Sequence, residues 1–262
     1  MSKIRYYSYT RTLAVILPKS EELNYMKRKK KILVSLISLI SIFTFGQRKD
    51  LILDNESFLL GTLSDYMGRL VSQDEEDKID NYGYFEKSLV LKIDSLFIAN
   101  YDDLLIKKIE TEEIFSNGSK MYSKNLANKI NANYTYKVYG WSQKNDTIFY
   151  GKLKENVFEN ELKKVSFIIG AYSRFGEQKE KKYCLRFHNS LSKFAKCEKI
   201  LKELDCEKVE IEIIKNIPTT QLIYFKPSKK LEQYFEKYKY LRKQITESRD
   251  DMIKELDKKH RK

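Results

Sequence analysis

Five consecutive basic residues, Lys27 to Lys31, precede an uncharged run from Ile32 to Phe45 and divide the chain into a leader and a part that must fold. At about 14 residues the run matches the apolar core of a secretory signal peptide. It falls short of the ~20 residues that a membrane-crossing helix needs at about 1.5 Å per residue. Thr44 and Gly46 place small residues where a leader peptidase reads, and Gln47 opens a polar segment. The reading is a signal peptide over 26–47, cleaved near Gly46, ahead of an exported domain of roughly 215 residues. The alternative is an uncleaved signal anchor that keeps residues 32–45 in a membrane. Residues 1–25 show no clear periodicity and read as an extension produced by a start codon placed too early.

The leader changes the meaning of the charge. The whole chain is +13, but residues 1–47 hold nine Lys or Arg against two Glu, which leaves +6 for the rest. A cytoplasmic chain this basic would suggest nucleic acid. With most of the surplus in the leader, the expectation is no nucleic-acid partner, a solvated surface, and an envelope or protein partner. Cys184, Cys197 and Cys206 permit one disulfide and leave one thiol, too few to build a scaffold, so the core must come from packing.

Leu51 to Leu70 places Phe58, Leu59, Leu63, Tyr66, Met67 and Leu70 at helical spacing, with Asp54 or Asn55 able to cap the start. Ser88 to Ala99 repeats the pattern, and Asn117 to Asn133 reads as a turn and a short polar helix. Tyr134 to Trp141 and Thr147 to Leu153 alternate as a β-hairpin around Asn145-Asp146. Glu159 to Phe175 fits a helix ending at Gly176 in a left-handed cap. Tyr183 to Phe187 reads as a strand and Ser190 to Leu204 as a helix. Val209 to Ile214 and Leu222 to Phe225 form a second hairpin around Ile217-Pro218, and a long helix starts near Ser228. Irregular interleaving of these elements predicts an α+β fold, antiparallel hairpins packed with several helices and closed by a long C-terminal helix. The expected organisation is one domain over 48–245 and a charged helical tail over 246–262.

Ser57 to Tyr66 matches Ser166 to Phe175 at seven of ten positions, identically or nearly so. Each copy carries a glycine inside a helix, Gly61 and Gly170, at a cost of about 1 kcal/mol relative to Ala. Close approach between elements explains both; a duplicated unit with a shared groove is the sharper reading. The spacing from Gly170 to Gly176 is similar to the dodecapeptide helix of LAGLIDADG nucleases, whose acidic residues hold catalytic metal between paired helices. The acidic positions here read Ser173 and Phe175, neither of which binds a divalent cation as a carboxylate does. Too few residues separate Gly176 from Tyr183 for that fold's first strand, and the resemblance is set aside.

Cys184 and His188 on a strand would share a face about 13 Å apart, without sharing an atom. With His260 as the only other histidine, no zinc set and no Cys-His dyad forms, and neither metal nor cofactor is expected. Two binding candidates remain. Arg186, His188, Asn189, Ser190 and Lys193 lie at a strand-to-helix junction, where backbone amides attract anions unless Asn189 or Ser190 simply caps the helix. Tyr134, Tyr136, Tyr139, Trp141 and Tyr150 could form a stacking surface unless they pack beneath a helix. The functional expectation is an exported, non-catalytic binding or envelope-associated protein. Its rivals are an exported hydrolase assembled from dispersed carboxylates and a signal-anchored membrane protein.

Overall fold

The computed structural model describes residues 51–111, 117–143, 145–179, 182–190 and 192–260. The leader over 26–47 and the extension over 1–25 lie outside the described residues. The architecture is α+β, with antiparallel sheets and a long C-terminal helix.

Helix α1 (Asn55–Thr62) begins where the Asp54 carboxylate accepts from the Ser57 amide at 2.8 Å. Strand β1 (Arg69–Ser72) follows, then β2 (Lys78–Gly83), α2 (Lys87–Phe97), β3 (Leu105–Ile109), β4 (Gly118–Tyr122) and α3 (Lys124–Asn131). The hairpin β5 (Tyr134–Trp141) and β6 (Thr147–Leu153) completes the first half. The second half runs α4 (Glu161–Phe175), β7 (Gly176–Lys179), β8 (Lys182–His188), α5 (Lys193–Glu203), β9 (Glu207–Ile214) and β10 (Thr220–Lys226), before α6 (Lys229–His260).

The two halves repeat one plan. A leading helix is followed by a strand, a helix and a hairpin: α1, β1, α3, β5, β6 in the first half and α4, β8, α5, β9, β10 in the second. In each sheet the last of these strands lies between the other two, giving the orders β1-β6-β5 and β7-β8-β10-β9. The short sequence match between Ser57–Tyr66 and Ser166–Phe175 is therefore the visible remnant of a duplicated unit. The first half also carries an insertion, the sheet β2-β4-β3 with α2, between β1 and α3.

Phe58, Leu59, Phe167 and Ile168 are buried where α1 packs against α4, and the core continues through Leu185 and Ile223 to Phe235, Leu241 and Ile245 of α6. The aliphatic and aromatic spacing along α6 docks it as expected, and the helix then continues unbroken to His260 with Met252 buried.

Several local expectations are corrected. The first helix stops at Thr62 rather than continuing towards Leu70, because Leu63 turns extended and Met67 and Gly68 take positive φ. Tyr66 and Leu70 extend the helical period by coincidence and end up exposed on the sheet side. The polar stretch before Ser88 contains β2, and β3 and β4 had no strand-like period to announce them. Gly176 does not adopt a left-handed cap: its φ is −76°, and it opens β7, which pairs with β8 from Gly176↔Leu185 to Lys179↔Lys182. The residues after Gly176 are thus enough for a strand. All three cysteines are free thiols, so the permitted disulfide is absent.

The paired helices touch backbone to backbone. A Cβ at Gly61 would lie 2.2 Å from the Phe167 carbonyl oxygen, and one at Gly170 would lie 2.0 Å from that of Phe58. Gly61→Ala or Gly170→Ala on an exposed helix would add stability, whereas here each forces two backbones apart. Each substitution is expected to destabilise by about 3 kcal/mol. Urea unfolding followed by circular dichroism checks this, and a variant as stable as the parent would disprove the close approach.

Candidate functional site

Close packing of α1 on α4 buries the C-terminal end of α1, and its carbonyls need donors they cannot find within the helix. Two cations provide them. The Lys193 ammonium, fully buried, donates to the carbonyls of Leu60 at 2.9 Å, Gly61 at 2.7 Å and Leu63. Arg174 donates to the Thr62 carbonyl at 2.7 Å. Both positive charges sit at the negative end of the helix dipole, where they are most favourable.

Arg174 is itself held by two carboxylates, whereas the Lys193 ammonium contacts carbonyls and feels Asp65 only at longer range. The Arg174 guanidinium meets Glu86 at 2.8 Å and Asp80 at 2.7 Å, donates to the Asn81 carbonyl at 2.6 Å, and lies 4.5 Å from the centre of the Tyr82 ring. Burial works against its charge, but Glu86 and Asp80 outweigh that and hold its pKa above the ordinary arginine value. Burial, with Asp80 adding to it, also pushes the Tyr82 phenol well up. Asp80 additionally accepts from the Ser64 amide at 2.6 Å. Asp65 stands opposite Lys193 and caps the start of α5, accepting from the amides of Ser192 at 3.1 Å and Lys193 at 2.9 Å and from the Ser190 hydroxyl. Burial pushes the Lys193 ammonium down to about 8, with Asp65 opposing.

This arrangement decides whether a divalent cation could sit between the paired helix ends. At the positions of the nuclease resemblance stand Ser173, whose hydroxyl donates to the Ile169 carbonyl at 2.8 Å, and Phe175. Their counterparts in the first half are Ser64 and Tyr66. The carbonyls that could share a metal are occupied by Lys193 and Arg174, and two fixed positive charges would repel one. The residues present do not fit such an ion.

The five residues of the expected anion site do not converge. Arg186 points to the open face of the second sheet and pairs with Glu177 at 2.7 Å. His188 is exposed, with Nδ1 3.2 Å from the Thr220 hydroxyl. Asn189 takes positive φ, donates to the Tyr66 hydroxyl at 3.2 Å and accepts from the Thr219 amide at 3.0 Å. The Ser190 amide donates to Gln221 at 2.7 Å, and Lys193 turns inward. The helix start is already answered by Asp65, so these residues join the two halves instead of presenting a site.

The aromatic candidates divide by strand parity. Tyr134 is buried, and Tyr136 donates to Asn131 of α3 at 2.8 Å, so both face inward. Tyr139 and Tyr150 share the open face of the sheet β1-β6-β5, edge to face with centroids 6.3 Å apart; a bulge between Val138 and Gly140 brings them together. Trp141, 72 % exposed, pairs with Thr147 on the other parity at the hairpin end. Register places Lys137 and Lys152 on the open face beside the two tyrosines, and Leu70 opposite Tyr150. Both lysines are exposed, and among the described residues neither has an ion-pair partner. Sequence reasoning missed Asp65, Asp80, Glu86 and Arg174. The one available signal was Arg174 itself, a charge set inside the apolar repeat.

No family model and no curated protein matches the sequence. Among solved structures, the chain is similar to a mesophilic variant of the homing endonuclease I-DmoI, with a TM-score of 0.44 and 12% identity over 70% of this chain and 94% of that one. It is also similar to I-DmoI in complex with DNA and Ca, with a TM-score of 0.43 and 12% identity over 69% and 86% of the respective chains. The likeness to a nuclease, in one case in complex with DNA, stands against two expectations from the sequence, the non-catalytic envelope-binding protein and the chain without a nucleic-acid partner.

Removing Arg174 leaves Asp80 and Glu86 buried without their cation, so Arg174→Leu is expected to cost about 3–5 kcal/mol in chemical denaturation. Lys193 should leave a signature in pH. Its pKa is about 8 folded against 10.5 unfolded, so the unfolded chain binds more protons between those values. Relative to Lys193→Met, the parent should therefore gain up to about 3 kcal/mol as pH rises from about 8 to 10.5. Parallel stability curves for the two proteins over that window would show that Lys193 is not titrating in the fold.

Proposed function

We propose that the protein binds nucleic acid on the open face of the sheet β1-β6-β5. The observation that carries this reading is the edge-to-face pair of exposed Tyr139 and half-buried Tyr150 beside Lys137 and Lys152, two exposed lysines without an ion-pair partner among the described residues. Rings on a sheet surface offer flat apolar faces on which bases stack, at about 1–3 kcal/mol per base, while lysines contact phosphates. Stacking needs unpaired bases, so the face favours a single strand over a duplex.

The second sheet argues for this choice by contrast. Its open face carries Arg186 and Lys182, but these pair with Glu177 at 2.7 Å and Glu210 at 3.5 Å, and Tyr224 donates to Glu212 at 3.1 Å. Those charges are spent on one another. The duplicated unit thus presents two faces of similar shape, of which only the first keeps charge available for a phosphate backbone.

Fluorescence anisotropy with labelled 20-nucleotide single strands and a matching duplex tests the reading. The single strand should bind more tightly, and Tyr139→Ala with Tyr150→Ala should weaken it about ten-fold or more. Lys137→Gln with Lys152→Gln should lower the slope of log affinity against log salt by about one to two. No binding at low salt, or binding indifferent to all four substitutions, would rule out this face.

A further inference from the structure

A cleft of about 610 Å³ lies between β7 and the later part of α6, away from the face described above. Its volume falls in the range of about 300–1,000 Å³ typical of small-molecule sites. Tyr172 and Glu177 line one wall, and Arg242, Lys243, Thr246 and Arg249 the other. Arg242 is half-buried and uses one donor on the Arg174 carbonyl at 2.7 Å, while among the described residues it has no ion-pair partner. Arg249 follows seven residues along the same helix, about 10 Å away at 1.5 Å per residue. The carboxylates at hand are engaged: Glu177 accepts both guanidinium contacts from Arg186 at 2.7 and 3.1 Å, Glu247 lies 3.7 Å from Lys243, and Asp250 lies 3.9 Å from Arg249, which leaves Arg242 as the cation without an ion-pair partner among the described residues.

Burial, and after it the like charge of Arg249, pull the Arg242 pKa below its ordinary value. A guanidinium nevertheless keeps its proton in a protein. The charge therefore stays in the cleft, offset only in part by Glu177 on the opposite wall. The free edge of Arg242 is a planar fork suited to two oxygens of one group, which a phosphate supplies.

We propose that this cleft binds a phosphate-bearing ligand, gripped by Arg242 with Arg249 and Lys243 beside it. The phosphate belongs either to a free nucleotide or to a nucleic-acid backbone. The site is independent of the aromatic face, so the two stand or fall separately.

Isothermal titration of the whole chain with inorganic pyrophosphate, at ionic strength fixed with chloride, is the test. The parent should bind, and Arg249→Glu and Lys243→Glu should each weaken binding about ten-fold or more. Arg242→Gln should abolish it, but because Arg242 also supports α4, the other two variants carry the result if it misfolds. Tyr139→Ala should leave pyrophosphate affinity unchanged. Displacement of pyrophosphate by ADP assigns the cleft to free nucleotides, and displacement by a 20-nucleotide strand but not ADP assigns it to the backbone. Absence of pyrophosphate binding above the chloride control, or equal affinity in the parent and Arg249→Glu, overturns the proposal.

Discussion

Where α1 crosses α4, two backbones come closer than any side chain would allow, and the remaining structure is arranged around that contact. Gly61 and Gly170 leave no room for a methyl group against the facing carbonyls of Phe167 and Phe58. Such proximity gains dispersion contacts over both helices, but it also takes the C-terminal carbonyls of α1 out of water. Each buried carbonyl left unanswered costs about 1–3 kcal/mol. The close crossing is therefore only stable with donors brought from elsewhere in the chain.

Those donors are cations, and each brings a further requirement. Lys193, from the start of α5, reaches three of the carbonyls, and Asp65 faces it across the junction of the two halves. Arg174, from the end of α4, reaches a fourth and is balanced by Asp80 on β2 and Glu86 just before α2. The inserted segment of the first half is thereby tied to the paired helices through charge rather than through apolar packing alone. The same residues make the helix ends a structural centre: positions where carboxylates could have gathered a metal hold serine, tyrosine and phenylalanine beside two fixed positive charges.

With the centre given over to support, chemistry is left to the periphery, and there the duplicated halves have diverged. On the second sheet opposite charges sit within reach of one another, Arg186 and Glu177 on adjacent strands and Lys182 and Glu210 across the intervening β10, and cancel. On the first, the bulge in β5 sets Tyr139 against Tyr150 between lysines without an ion-pair partner among the described residues. The same plan thus yields one face on which opposite charges pair and one on which exposed lysines stand beside tyrosine rings.

Local pattern alone determined a good deal of this. The helical spacing of Val165, Ile169 and Tyr172, the alternation through β5 and β6, and the two matching ten-residue segments reported α4, the first hairpin and the duplication. These signals are visible because they arise from periodicity, which each segment carries in itself. The α+β class followed from the same reading. The strands β2, β3 and β4 were not legible, because their residues are polar or only partly buried and alternate weakly. Tertiary structure alone decided the roles of charged residues. Nothing in the sequence distinguishes Lys193, sealed beneath a helix end, from Lys137, exposed on a sheet, since both are lysines in mixed surroundings. What separates them is which carbonyls or carboxylates the fold brings within about 3 Å, and an interaction of that range depends on the whole path of the chain rather than on neighbours in sequence.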